Sequence, residues 1–236
     1  MNNCFQFKQF TVFHDRCAMK VGTDGVLIGA WAQSFPQADT LDIGCGSGLI
    51  SLMIAQRYPH NHITAIEIDE DTTAQARENV QRSPFADQIE VINADFASFV
   101  TPSDKKFQTI ISNPPYFEEV LGSSVSTATR IKARHTESLS FETLVCRSAT
   151  LLDDNGVFSV IIPYTAATNF ISLCAVNGLY LSRRCDVRNS SSKPYKRSLL
   201  TFTKTITDTQ RETLTLRTQS NTYTPEYQQL TCQFYL

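Results

Sequence analysis

The chain has 236 residues, 42% of them hydrophobic, and a formal charge of −2. That is enough apolar content for one cored domain and excludes a disordered chain. The near-neutral total gives no global sign of a nucleic-acid binder. Seven scattered cysteines (Cys4, Cys17, Cys45, Cys146, Cys174, Cys185 and Cys232) have no metal-ligand spacing and an odd count, so reduced core thiols are expected and no metal. No apolar run is long enough to span a membrane, and the first ten residues lack a signal peptide's pattern. A cytoplasmic protein is the expectation.

Phe5, Phe7, Phe10, Val12 and Phe13 suggest a small strand or hairpin. A turn at Val21 to Gly25 leads into a helix reaching about Trp31, with Asp24 placed to cap it. Strands and helices then alternate. Strands are expected at Thr40–Ile43, His62–Ile68, Ile89–Ile92, Phe107–Ser112 and Val157–Ile162, and helices at Leu49–Tyr58, Glu70–Arg82, Phe141–Leu152 and Thr165–Asn177. Asp153-Asp154-Asn155-Gly156 reads as the turn between the third of these helices and the strand after it. Leu179–Val187 and Ser198–Thr203 supply the last strands, with a basic loop between them. Such alternation predicts an α/β fold, a Rossmann-like, mostly parallel sheet with helices on both faces. A single domain is expected, with residues 1–35 as an N-terminal extension, 36–205 as the core and 206–236 as a C-terminal extension of unassigned role.

Strand ends carry the chemistry in such sheets. Asp42-Ile43-Gly44-Cys45-Gly46-Ser47-Gly48 follows the first core strand. Its glycines run G-x-G-x-G, one residue short of the dinucleotide fingerprint. Glu67 ends the second strand, where a carboxylate can accept from two ribose hydroxyls; it could equally be a surface charge beside Asp69, Glu70 and Asp71. Asp95-Phe96 follows the third strand, where Asp95 could accept from an adenine amino group or cap a helix. Asn113-Pro114-Pro115-Tyr116 ends the fourth. Each proline fixes its own φ, removes a donor and extends the residue before it. The turn therefore offers oxygen acceptors and a flat aromatic face, which suits a planar NH2 group. Charge is uneven as well. Basic residues gather at Arg130, Lys132 and Arg134, and at Arg183, Arg184, Arg188, Lys193, Lys196 and Arg197. That distribution fits either one anion-facing side or solvated surface charge.

The glycine turn, Glu67, Asp95 and Asn-Pro-Pro-Tyr, in that order, resemble the motifs of class I S-adenosylmethionine (SAM)-dependent methyltransferases that modify amino groups. Phe7-Lys8-Gln9-Phe10, the run His14–Leu27, Arg134-His135, Lys196-Arg197 and the tail Tyr223–Leu236 sharpen the resemblance. Over nearly the whole chain it is similar to the bacterial tRNA(Val) adenine-N6-methyltransferase family. The resemblance implies a seven-stranded sheet, SAM as cofactor, a valine tRNA as partner and activity as a monomer. It implies cofactor contacts from Asp42, Gly44, Gly46, Gly48, Glu67, Asp95, Phe96, Lys20 and Thr23. Asn113, Pro114 and Tyr116 would be catalytic. Pro115, Phe117, Arg134, His135, Lys193, Lys196 and Arg197 would meet the RNA. Open alternatives are a glutamine-amide methyltransferase acting on release factors, a ribosomal-RNA or DNA amino methyltransferase, and a SAM-binding module without turnover. An NAD oxidoreductase is disfavoured by the glycine spacing.

Overall fold

The computed structural model describes residues 3–17, 19–101, 105–115 and 139–236. The chain opens with an antiparallel hairpin, β1 (Cys4–Gln6) and β2 (Thr11–Phe13), and helix α1 (Thr23–Trp31). The core follows as β3 (Asp39–Ile43), α2 (Leu49–Arg57), β4 (His62–Glu67), α3 (Glu70–Gln81), β5 (Ile89–Asn93) and β6 (Phe107–Ser112). After the undescribed segment come α4 (Phe141–Leu151), β7 (Leu152–Pro163), α5 (Ala167–Val176), β8 (Tyr180–Arg188) and β9 (Tyr195–Thr203). The chain closes with β10 (Gln210–Thr215) and α6 (Pro225–Thr231).

The large sheet runs β10-β8-β9-β7-β6-β3-β4-β5. Only the β7–β9 and β8–β9 pairs are antiparallel. The seven-stranded, mostly parallel sheet is present, and β10 adds an eighth strand parallel to β8. Its sequence, Gln-Arg-Glu-Thr-Leu-Thr, buries only Leu214, so an edge strand leaves no apolar alternation to read.

Period-two alternation sends neighbouring residues to opposite layers. Ile111 and Ile161 pack with α1, α2, the hairpin and the C-terminal Tyr227 and Phe234. Ile110, Val160 and Ile162 pack with Leu144 of α4 and Phe170 of α5. Local capping sets the helix starts: Asp69 accepts from Thr72 N (2.8 Å), Ser140 from Thr143 N (3.1 Å) and Thr224 from Tyr227 N (3.2 Å).

Two local expectations change. The N-cap of α1 is Gly22, without a side-chain bond, and Asp24 in the first turn instead accepts from Arg197 Nε at 2.8 Å. The Asp153–Gly156 segment is not a separate turn. It lies within β7, which is already paired at Leu152 with Phe107, and its extra residues are absorbed by a register shift between Phe107 and Thr109.

The C-terminal segment is tied to the hairpin. Lys8 N donates to Phe234 O (2.8 Å), Lys8 Nζ to Cys232 O (2.6 Å), and the Phe7 and Tyr235 rings stack 6.0 Å apart. Among the described residues no helix is long and apolar enough to cross a membrane.

Candidate active site

Four turns meet at the carboxyl edge of β3, β4, β5 and β6, where parallel sheets of this kind present their sites. The glycine turn comes first. Gly44, Gly46 and Gly48 take φ of 69°, 56° and 81°, values that favour glycine. A Cβ built on Gly44 or Gly46 would meet nothing within 4 Å, so this stretch of backbone faces open space. A Cβ on Gly48 would lie 3.6 Å from that of Ala76, and Gly48 forms the N-cap of α2.

Asp42 lies beneath this turn rather than in it. It is 1% exposed, and its Oδ2 accepts from Ser51 N (3.1 Å) and Ser51 Oγ (2.6 Å) in the first turn of α2. Burial pushes its carboxyl up to about 7, against the pull of the Ser51 bonds. Through these bonds Asp42 positions the helix start behind the glycines.

Glu67, at the end of β4, bridges two turns. Its Oε2 accepts from Gly46 N (3.0 Å), and its Oε1 from Ile68 N (2.9 Å) and Asp69 N (3.1 Å). At the end of β5, Asn93 Nδ2 donates to the carbonyls of Glu67 and Ile68 and to Thr73 Oγ1. Asp95 follows, half-buried, with Oδ1 accepting from Ala97 N at 2.9 Å. Phe96 is 5% exposed and belongs to the core with Leu41 and Ile66, so its ring is not available as a ligand face and only its backbone remains for that edge.

Asn113 and Pro114 continue from β6. Ser112, just before them, is paired with Ile43 in the sheet and donates Oγ–H to Ile43 O at 2.9 Å. This bond fixes the Asn-Pro-Pro turn against the entry to the glycine turn. Pro114 is buried and Pro115 exposed. Asn113 Oδ1 is buried and has no hydrogen-bond partner among the described residues. Tyr116, Phe117, Arg134 and His135 lie outside the described residues.

Asn79 of α3 gave no sequence signal, yet it is fully buried at the centre of this rim. It accepts from Phe13 N (2.9 Å) and donates to Phe13 O (2.8 Å) and Ser47 O (2.9 Å). One amide thus joins the hairpin to the glycine turn. Lys20 and Thr23 are exposed just before and at the start of α1. Thr23 lines a cavity of about 740 Å³ that opens between the hairpin, α1 and the C-terminal tail and includes none of the strand-end residues above. Lys193, just before β9, and Lys196, near its start, are exposed, whereas the Arg197 guanidinium is engaged by Asp24.

Two thiols lie near Glu67. Burial pushes Cys17 up to about 11 and Cys45 well above its ordinary value, so neither is a thiolate at neutral pH. Among the described residues no cluster of histidine, cysteine or carboxylate could hold a metal. The arrangement offers fixed acceptors and an open glycine backbone, without an activated nucleophile.

Known proteins match this arrangement. The family model for the methyltransferase small domain matches residues 20–164. A Bacteroides fragilis protein named tRNA1(Val) (adenine(37)-N6)-methyltransferase is 45% identical over 98% of this chain and 97% of its own length. Proteins of the same name from Phocaeicola vulgatus and Photorhabdus laumondii are 46% and 41% identical, covering 100% and 98% of this chain and 98% and 95% of theirs. Among solved structures, one described as a predicted O-methyltransferase from Agrobacterium tumefaciens superposes with a TM-score of 0.69 at 18% identity, over 89% of this chain and 96% of that one. The T. thermophilus 16S rRNA N2 G1207 methyltransferase does so at 0.59 and 17% identity, over 86% and 50%. These structures share the fold; the curated relatives share the sequence throughout. The chain belongs to the methyltransferase small-domain family and, within it, to the tRNA1(Val) (adenine(37)-N6)-methyltransferases.

Proposed function

We propose that the protein methylates the exocyclic N6 of the adenine 3′ of the anticodon in a valine tRNA, with SAM as methyl donor, as a cytoplasmic monomer. The names of its curated relatives support the substrate. The observation that carries the chemistry is the buried Oδ1 of Asn113, unpartnered among the described residues, at the mouth of a proline turn.

The chain's residues fit the cofactor. Gly44 and Gly46 leave room for close approach, and Glu67 and Asp95 are carboxylates suited to ribose hydroxyls and an adenine amino group. Bound SAM supplies a methyl group made electrophilic by its sulfonium. The protein's own task is to prepare the nitrogen.

An adenine N6 lone pair is delocalised into the ring and is a weak nucleophile. The amine has two N–H bonds. Asn113 Oδ1 and the Pro114 carbonyl are two acceptors, and prolines at 114 and 115 remove competing donors. Accepting both N–H bonds pulls the nitrogen towards tetrahedral geometry and turns its lone pair out of the ring plane. The same oxygens stabilise positive charge as it builds on nitrogen, which is preorganised electrostatic catalysis. Tyr116 would stack on the base once it leaves the loop.

The glutamine-amide alternative would use the same acceptors. The curated relatives, which align with nearly the whole chain, carry the tRNA name instead. The test is nucleoside mass spectrometry of tRNA after incubation with SAM and enzyme. N6-methyladenosine in valine tRNA is the expected product. Unmodified tRNA alongside a methylated release factor would overturn the reading.

A further inference from the structure

A row of four side chains continues the active edge of the sheet beyond Asn113. β7 leaves the sheet at Pro163, and Tyr164 follows. β9 runs antiparallel to β7 with Arg197 opposite Pro163, so Tyr195 enters at the same edge. The Tyr164 and Tyr195 ring centroids lie 5.4 Å apart. The Arg184 guanidinium lies 5.5 Å from the Tyr164 centroid, and that of Arg188 lies 5.3 Å from Tyr195. The row therefore reads Arg184, Tyr164, Tyr195, Arg188. Since β7 neighbours β6 with Val160 opposite Ser112, Tyr164 stands one strand across and three residues beyond Asn113. That is about 5 Å sideways and about 10 Å along the strand direction.

The two ends of the row differ. Arg184 Nε is held by both oxygens of Asp186 (2.9 and 3.0 Å), and Asp186 Oδ1 also accepts from Ser198 Oγ (2.6 Å). Its charge is neutralised in place. Arg188 bonds neutral oxygens, Thr215 Oγ1 (3.0 Å) and Ser191 O (3.3 Å), and has no carboxylate partner among the described residues. Exposed Lys193 and Lys196 flank Tyr195. Tyr164 keeps 37% of its surface exposed. A row serving only to staple strand ends needs no uncompensated cations and no partly exposed ring.

We propose that this row is a platform for a nucleotide flanking the methylated adenine, with its base taking the place of the Arg188 guanidinium on the Tyr195 ring and its phosphate held by Arg188 and Lys196. This rests on the reading of the site as a tRNA methyltransferase. Extruding the target base leaves its neighbour without a stacking partner, and an aromatic face replaces what was lost. Every base has a π-face, so the platform recognises an unstacked single strand rather than a particular base.

The test uses anticodon stem-loop RNAs with a single abasic residue at each position flanking the adenine. They are assayed with the wild type, Tyr195→Ala, Tyr195→Phe and Tyr164→Ala. On intact RNA each alanine variant should raise KM about tenfold, the lower range of one lost stack, with kcat and SAM affinity unchanged and phenylalanine restoring the wild-type KM. One abasic position should raise the wild-type KM to the same extent, and on that RNA the alanine variants should lose nothing further. An unchanged KM in the alanine variants, or losses that add on every abasic RNA, overturns the platform. Should an alanine variant melt well below wild type, the abasic series on wild type decides alone: no flanking position that raises KM overturns it. A wild type that methylates no RNA at all overturns the methyltransferase reading, and the platform with it.

Discussion

Replacing Asn113 by alanine separates stability from turnover. The side-chain oxygen is buried without a partner among the described residues, and an unmet buried acceptor costs about 1–3 kcal/mol. Removing it relieves that cost, while the lost packing of a small amide group works against the gain. The net change in folding free energy should stay within about 1 kcal/mol of zero. In the reaction the same atom is one of two acceptors for the amine. Losing one preorganised partner of developing charge lowers kcat by about 10²–10³, or about 2.7–4 kcal/mol. SAM affinity should hold, because the glycine turn and Glu67 do not depend on Asn113 for any bond seen here. Three measurements decide: denaturant unfolding, calorimetric titration of SAM, and single-turnover methyl transfer to tRNA. Turnover within about threefold of wild type, far below the 10²–10³ expected, would refute the acceptor role. So would destabilisation beyond about 2 kcal/mol, because the oxygen would then have a structural partner.

Three further outcomes follow from the rim. Gly46→Ala places a side chain at φ 56° facing open space; stability should fall by about 1–2 kcal/mol, and SAM affinity measured by calorimetry should fall far more, an unaltered affinity excluding the glycine turn from the site. Asn79→Ala removes three bonds and leaves Phe13 N–H unmet, so urea unfolding should show a loss of about 3 kcal/mol, with faster hydrogen exchange at Phe13 as the local marker. Asp42 has a folded pKa raised from an ordinary 3.8 to about 7. Its contribution is intact at low pH and is lost as pH rises through 7, so wild type should lose up to about 4 kcal/mol relative to Asp42→Asn between pH 4 and 8. Parallel stability curves for the two proteins would refute the buried carboxyl.

The central strands were legible because they are buried on both faces and read as apolar runs: Phe107–Ser112 is found with the expected bounds. β10 was not, since five of its six residues are left polar at an edge. At the site, the glycines, Glu67, Asp95 and Asn113 stood out because a parallel sheet puts its chemistry at successive strand ends. Ser112, Asn79 and Asn93 did not, because their partners include main-chain atoms distant in sequence, such as Ile43 O, Phe13 O and Glu67 O. A main-chain acceptor has no residue type, so no pairing pattern marks it. Asp42 was legible as important, but its bonds to Ser51 at the start of α2 were not.

Two buried acceptor atoms at this edge lack a partner among the described residues, Asp42 Oδ1 and Asn113 Oδ1. They have different ways out. A carboxylate relieves its burial by taking up a proton, and the raised pKa of Asp42 is that relief. A carboxamide does not titrate, so Asn113 Oδ1 has no such remedy, and among the described residues no donor meets it. Ser112 holds the turn in place, and the two prolines behind Asn113 supply no N–H. The surrounding polar groups Glu67, Asn79 and Asn93 are meanwhile bonded to main chain. Among the described polar groups of this rim, Asn113 Oδ1 is the non-titrating acceptor left unmet, at the place where a substrate N–H would arrive. That is the requirement of chemistry on an amino group.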